Sequence, residues 1–282
     1  MHEKIGIYVN PIVPQRYQRY AVELSEQLPK NTLHKLTFPL LSIPDEETTI
    51  IIIGGDGSIK ETTKALLKKD NPGLLLIVPA GSQNGFFHAL RDKKTLVSMD
   101  QIRDGATDHI PLYKPGIINN EPFNHLADLT KAGALQQKYS EALRSYIPRR
   151  LRALTGVAIG FAKIKTGPDY PSYDFKMLMP SPYIGPLKIF PEQDLYGDTV
   201  TLVTMDAKSK AEGVLKTTLV LLYLINHKHP PTSLVKIETQ RSFTVADHYP
   251  EINMDGESMS IPKKDSVFVS RSKKSLQIAT LI

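Results

Sequence analysis

Apolar and polar positions in the first third of the chain fall into two alternating kinds of segment. Lys4–Val9, Ile50–Ile53 and Leu74–Val78 are short and almost wholly apolar, as in strands buried on both faces. Leu33–Phe38 is a further strand candidate. Between them apolar residues recur at helical spacing. Tyr17–Leu28 carries Tyr20, Val22, Leu24 and Leu28. After Gly57 come Ile59, Thr63, Leu66 and Leu67, with Lys64, Lys68 and Lys69 toward water, so a helix runs on through Thr62–Lys69. The breaks are chemical. Asn10-Pro11 ends the first strand, Pro29 and Asn31 close the first helix, and Asn71-Pro72-Gly73 stops the second. This alternation predicts a parallel α/β layer.

The texture changes after about His109. Short alternating runs take over: Phe175–Met179, Thr199–Thr204, Val235–Glu238, Phe243–Ala246 and Val267–Ser270. Prolines and glycines punctuate them, as in an antiparallel sheet or sandwich. Helices are expected over Ala132–Arg152 and Lys210–Asn226, and a last strand over Ser275–Leu281. The expected fold class is α/β plus β. An α/β domain (1–109, to which 271–282 can return) precedes a β-sandwich-like domain (110–270).

Composition narrows the choice. The 282 residues suffice for one large or two ordinary domains, and 41% hydrophobic with 23% charged content is ordinary for a globular protein. The longest apolar run, Leu219–Ile225, is too short to cross a bilayer. No signal peptide is expected from the charged start. The absence of cysteine excludes disulfides, thiolate nucleophiles and Cys-ligated zinc, and is compatible with a reducing cytoplasm. A net charge of +6 favours acidic partners such as nucleotides or anionic lipid surfaces. The basic clusters (Lys68-Lys69, Lys93-Lys94, Arg149-Arg150-Arg152, Lys273-Lys274) lack interleaved aromatics, so no nucleic-acid partner is expected.

Three stretches carry candidate chemistry. Ile50–Ile53 runs into Gly54, Gly55, Asp56, Gly57 and Ser58, and then a helix. Strand, glycine turn and helix point free backbone N–H groups at a phosphate. A carboxylate inside such a turn repels a phosphate unless a divalent cation lies between them, so the pattern suggests metal-nucleotide chemistry. Pro79–Leu90 also follows a strand and opens a helix, and its Gly81-Ser82 could serve the same ligand, because strand ends share one edge of a parallel sheet. Ser82 reads equally as a helix N-cap. Asn253–Met259 sets Asp255 and Glu257 around Gly256, which is also an ordinary hairpin turn.

Together these stretches resemble the diacylglycerol kinase catalytic-domain family, which includes bacterial lipid kinases and sphingosine kinases. Its Asn-Pro is matched by Asn10-Pro11, and its Gly-Gly-Asp-Gly-Thr with a following Glu by Gly54–Ser58 and Glu61. Its second loop is matched by Gly81, Ser82 and Asn84, and its late Asp-Gly-Glu by Asp255, Gly256 and Glu257. The resemblance implies that the first domain is nucleotide-binding, Rossmann-like or NAD kinase-like, with ATP and Mg²⁺ as cofactors. Gly54–Ser58 amides would cradle phosphates, with Asp56 near Mg²⁺ through water. Asn10, Pro11, Ser58, Glu61, Ser82 and Asn84 would line the nucleotide site. Glu257 would be the general base toward a lipid hydroxyl, so that the two distant acidic turns serve one triphosphate. A lipid at a membrane surface is the implied partner, with cytoplasmic location and peripheral attachment, and a homodimer is compatible with the sequence. Gly85, Pro111 and Tyr196 stand at positions usually acidic in the family, so no structural metal site is carried over. The alternatives are a catalytically impaired homologue that regulates by binding nucleotide or lipid, and, further off, an NAD kinase.

Overall fold

A computed structural model describes residues 4–28, 30–81, 84–131, 174–184, 187–188, 193–226, 228–246, 248–262 and 265–282, with isolated positions 135, 159 and 163. Ser82, the helix expected over Ala132–Arg152 and the Arg149-Arg150-Arg152 cluster lie outside the described residues. The chain divides into two compact units. The first is Met1–Pro115 with Asp194–Asp198 and Ser272–Ile282; the second is Gly116–Gln193 with Thr199–Arg271.

The first unit is built on a sheet of β1 (Lys4–Val9), β2 (Asn31–Lys35), β3 (Glu47–Gly54), β4 (Leu74–Pro79), β5 (Leu96–Val97), β6 (Leu112–Tyr113) and β19 (Leu276–Leu281). The strand order is β2-β1-β3-β4-β19-β5, all parallel, with β6 antiparallel against β19. Its helices are α1 (Gln15–Gln27), α2 (Asp56–Leu66), α3 (Gly85–Asp92) and α4 (Met99–Arg103). Strand alternation sorts the apolar residues between two faces. Ile5, Ile7, Val9, Ile51, Ile53, Leu76 and Val78 pack with Ala21, Leu24 and Leu28 of the α1 segment and with Met99 and Ile102 of α4. Ile50, Ile52, Leu75 and Ile77 are buried on the opposite face, while α2 packs on β3 and α3 on β19.

This order follows from handedness. The connection β1-α1-β2 steps one way along the sheet, and β3-α2-β4 steps the other way. Right-handed crossovers then put α1 and α2 on opposite faces. The reversal between β1 and β3 leaves a crevice beyond their carboxyl ends, the usual ligand position in such sheets.

In the first unit two strands differ from expectation by more than one residue. β2 spans Asn31–Lys35 rather than Leu33–Phe38, because the chain leaves the edge toward Leu40, whose amide bonds to Glu61. β3 starts at polar Glu47, three residues before the apolar run. Glu47 is buried there because Tyr8 Oη donates to Oε2 (2.7 Å) and His34 Nε2 meets Oε1 (2.7 Å). Gly6 makes the room, since a Cβ on it would lie 2.3 Å from Glu47 Oε2. Burial, and then the Glu47 carboxylate, push the Tyr8 phenol well above its ordinary range.

The second unit is antiparallel. Its larger sheet runs β14-β13-β10-β9-β16-β17, formed by Lys236–Gln240, Val200–Met205, Phe175–Met179, Ala127–Asp128, Glu251–Met254 and Glu257–Ser260. A smaller sheet runs β15-β18-β7-β8, formed by Ser242–Val245, Val267–Arg271, Gly116–Ile118 and Glu121–Phe123. Tyr183–Ile184 and Leu187–Lys188 pair as β11 and β12. Ala127, Leu178 and Met254 from the larger sheet pack against Ile118, Phe123, Phe243 and Val269 from the smaller one. The other face of the larger sheet carries Met177, Met179, Val203 and Met205, covered by Val214, Val220 and Leu224 of α5 (Lys210–Ile225). The fold class is α/β followed by a sandwich of antiparallel sheets.

Candidate functional site

The crevice between β1 and β3 is where the first glycine turn sits. Gly54 ends β3, Gly55 is the N-cap of α2, and Asp56 is its first residue. Gly55 has no side chain to cap the helix. The positive end of the α2 dipole and its first amides therefore lie at the strand end. Asn10, immediately after β1, donates Nδ2–H to Ser58 Oγ (2.8 Å) and accepts from Ile12 N–H (3.0 Å). That bond ties the Asn10-Pro11 turn to the glycine turn across the reversal.

The second loop comes close enough that only glycine fits. A Cβ on Gly55 would lie 2.9 Å from Gly81 Cα, and a Cβ on Gly81 would lie 2.4 Å from Gly55 Cα. Gly54 has the same constraint from Ser58 Oγ, at 2.4 Å from a Cβ. The N-cap of α3 is Asn84, held in the left-handed region at φ 51°. Its Oδ1 accepts from Gly81 N–H (3.0 Å), so the side chain closes the loop instead of capping its own helix.

Asp56 supplies the missing cap. Its Oδ2 accepts from Gly85 N–H (3.0 Å) and its Oδ1 from Phe86 N–H (3.2 Å), the first two amides of α3. The carboxylate thus joins the start of one helix to the start of another. Glu61 turns elsewhere. It is buried, and its Oε2 accepts from Leu40 N–H (3.2 Å). Asn10, Gly54, Gly55, Asp56, Gly57, Ser58, Gly81 and Asn84 are therefore brought together in the first unit, with Pro11 beside Asn10. Lys69, not singled out from the sequence, holds the segment before β3 by donating to the carbonyls of Pro44 (2.9 Å) and Glu47 (2.7 Å).

Asp255 and Glu257 lie in the second unit, at the turn between β16 and β17. Asp255 has φ 51° and is buried. Its carboxylate accepts from three consecutive amides, those of Asn124 (2.5 Å), His125 (2.8 Å) and Leu126 (2.9 Å). Its own N–H donates to Leu126 O (2.9 Å). Glu257 opens β17 opposite Met254. Tyr196 hydrogen-bonds to Thr95 Oγ1, and Asp198 meets Lys114 (2.7 Å). Among the described residues no group of three or more His, Asp or Glu side chains is placed to hold a metal ion.

One ionisable group in the second unit escaped the sequence reading. Asp128 lies on β9 in register with Met177 and Asn253. Its Oδ1 accepts from Thr130 N–H (3.0 Å) and Oγ1–H (2.8 Å). Desolvation outweighs these bonds and lifts the carboxyl from 3.8 to about 7. The available signal was a lone carboxylate inside the apolar run Leu126–Leu129. The folded protein holds a proton here that the unfolded chain releases, so stability falls as pH rises from 3.8 to about 7 and stays lowered above that. The whole effect is at most about 4 kcal/mol. Asp128→Asn is expected to flatten that slope, so that its urea midpoint relative to the wild-type protein rises between about pH 5 and about pH 8. Parallel pH profiles for the two proteins would refute the assignment.

The comparisons agree with this architecture. Residues 13–114 match the family profile of the diacylglycerol kinase catalytic domain. No curated protein matches the chain. A solved structure of a provisionally assigned diacylglycerol kinase from Bacillus anthracis str. Sterne has a TM-score of 0.67 at 14% identity, covering 98% of this chain and 96% of its own. A second provisionally assigned structure from that strain has 0.67 at 15%, covering 98% and 97%. A third, a diacylglycerol kinase of the same strain, has 0.60 at 15%, covering 98% and 96%. No helix among the described residues is long and apolar enough to cross a membrane. The profile match over residues 13–114 bears out the resemblance to the diacylglycerol kinase catalytic-domain family, and the solved structures show that the fold is shared along the chain.

Proposed function

We propose that the protein is an ATP-dependent lipid kinase that phosphorylates a hydroxyl of diacylglycerol or a related lipid. The observation that carries the reading is the contact of Gly55 with Gly81 at the switch point, where any Cβ would collide with backbone. Such a cradle suits a phosphate chain, which needs amides and not side chains at close range. The amides of Gly57 and Ser58, at the start of α2, would bind the phosphates. Asn10 would hold Ser58 in place through its 2.8 Å bond. Asp56, anchored on the α3 amides, would take the Mg²⁺ side of the nucleotide through water. Mg²⁺, when bound, supplies the charge neutralisation that phosphoryl transfer needs. Glu257 would accept the proton of the attacking lipid hydroxyl. The family profile over residues 13–114 supports the kinase class.

The engaged state of Asp56 is the observation that favours a second reading, a regulator that binds nucleotide without transferring phosphate. Labelled ATP offered with diacylglycerol, monoacylglycerol, sphingoid bases, polyprenols and NAD separates the two. A phosphorylated lipid, lost in Gly55→Val, is the expected result. ATP binding with no product across that set would favour the regulator. A phosphorylated NAD would move the assignment to an NAD kinase.

A further inference from the structure

A surface helix in a globular protein is normally apolar on one stripe and polar on the other. Helix α5 departs from this rule. Its inward face is complete, because Val220 and Leu224 pack on Met177, Met179 and Val203 of the larger sheet. Its opposite face is apolar as well. Leu215 is 59% exposed and Leu222 51% exposed. Seven residues apart, they lie within ~20° of one another around the helix, and exposed Ala211 and Thr218 share their stripe. Leucine at such exposure is unremarkable singly, but a stripe along one helix marks a surface that works against an apolar phase.

Charge identifies that phase. Between Ala207 and Val235 the sequence has Lys208, Lys210, Lys216 and Lys228 against one carboxylate, Glu212. Glu212 is already bound to Lys216 at 2.9 Å. Lys208 lies before the helix and Lys228 after it, both exposed, so positive charge brackets the leucine stripe at its two ends. A protein partner would need matched carboxylates at both ends; an anionic bilayer presents negative charge everywhere around an apolar interior.

We propose that the outer face of α5 is a docking surface for anionic membranes, with Leu215 and Leu222 entering the headgroup–acyl boundary and Lys208 and Lys228 meeting lipid phosphates. The inference deepens the proposed lipid kinase reading by giving the second unit a side that faces the bilayer, but it does not depend on phosphoryl transfer. It is tested with the full chain and no nucleotide, by co-sedimentation with phosphatidylserine-containing and pure phosphatidylcholine vesicles. The wild-type protein is expected to partition onto the anionic vesicles and to be released by salt. Leu215→Ser/Leu222→Ser and Lys208→Gln/Lys228→Gln should each lower that partition by roughly tenfold or more, with unchanged circular dichroism. Glu257→Gln, which keeps strand pairing, should bind vesicles as the wild-type protein does, which separates failure of this inference from failure of the kinase reading. Unchanged partition of the leucine variant would overturn the proposal, as would wild-type protein that ignores the anionic lipid. A wild-type dimer that the leucine variant dissociates, with vesicle partition unaltered, would instead assign the stripe to contact between copies and likewise overturn it.

Discussion

For the proposed lipid kinase, replacing Glu257 with Gln is expected to lower phosphoryl transfer by ~10²–10⁴-fold, with little change in stability. The reason is local. Glu257 is the first residue of β17, on the hairpin partner of Met254, and is only partly buried. Gln has the same length and keeps an acceptor, so strand pairing survives while proton acceptance is lost. Charge neutralisation and nucleotide positioning act through other groups, so residual turnover should remain and KM for ATP should move little. Full turnover by the variant on a verified substrate would show that another group takes the proton. A variant that failed to fold would show that the partly buried carboxylate serves the fold, and a thermal melt alongside the assay distinguishes the two outcomes.

The parts of this site differ in how visible they were in the sequence. Lys4–Val9 is a strand with the expected limits, because its composition and the Asn10-Pro11 stop agree. The glycine turn was visible because Gly54, Gly55 and Gly57 clustered around a carboxylate mark a turn or a close approach that leaves no room for a Cβ. The task of Asp56 was not visible. The amides it accepts from belong to Gly85 and Phe86, 29 and 30 positions away, and no local pattern encodes such a distance. The same holds for Glu47, whose burial depends on Tyr8 and His34 in other strands and on the missing Cβ of Gly6. One local signal was overlooked. Ser98 and Gln101 form a capping box that starts α4, a pattern readable from spacing alone. The Asp194–Asp198 segment joins the first unit through Tyr196–Thr95 and Asp198–Lys114, contacts made across about a hundred and about eighty positions of sequence. The glycines thus announced where a ligand could bind, whereas the carboxylates did not announce whether they serve a ligand or the fold.

Asp255 makes that distinction testable, because it sits two residues from Glu257 and reads in the sequence as part of the same acidic turn. Asp255→Ala is expected to destabilise the second unit by about 3 kcal/mol, since the buried amides of Asn124 and His125 and the partly buried amide of Leu126 lose their acceptor together and each unmet buried donor costs about 1–3 kcal/mol. That is a large share of the ~5–15 kcal/mol available to a domain. The loss should be structural in its signature, with a lower urea midpoint and faster hydrogen exchange at Asn124, His125 and Leu126. Asp255→Asn keeps one carbonyl acceptor and tolerates the left-handed backbone at this position, so its loss should be smaller. Its amide group would nevertheless face donors with a donor, which keeps the cost well above that of an ordinary surface change. Because the clamp fixes the segment that leads into β9 to the hairpin that presents Glu257, any activity lost in Asp255→Asn should track the fraction unfolded and return as temperature is lowered. Activity lost in Glu257→Gln should not return. If Asp255→Ala melted like the wild-type protein, the three amides would have another acceptor, and the division of one acidic turn into a structural carboxylate and a chemical one would fail.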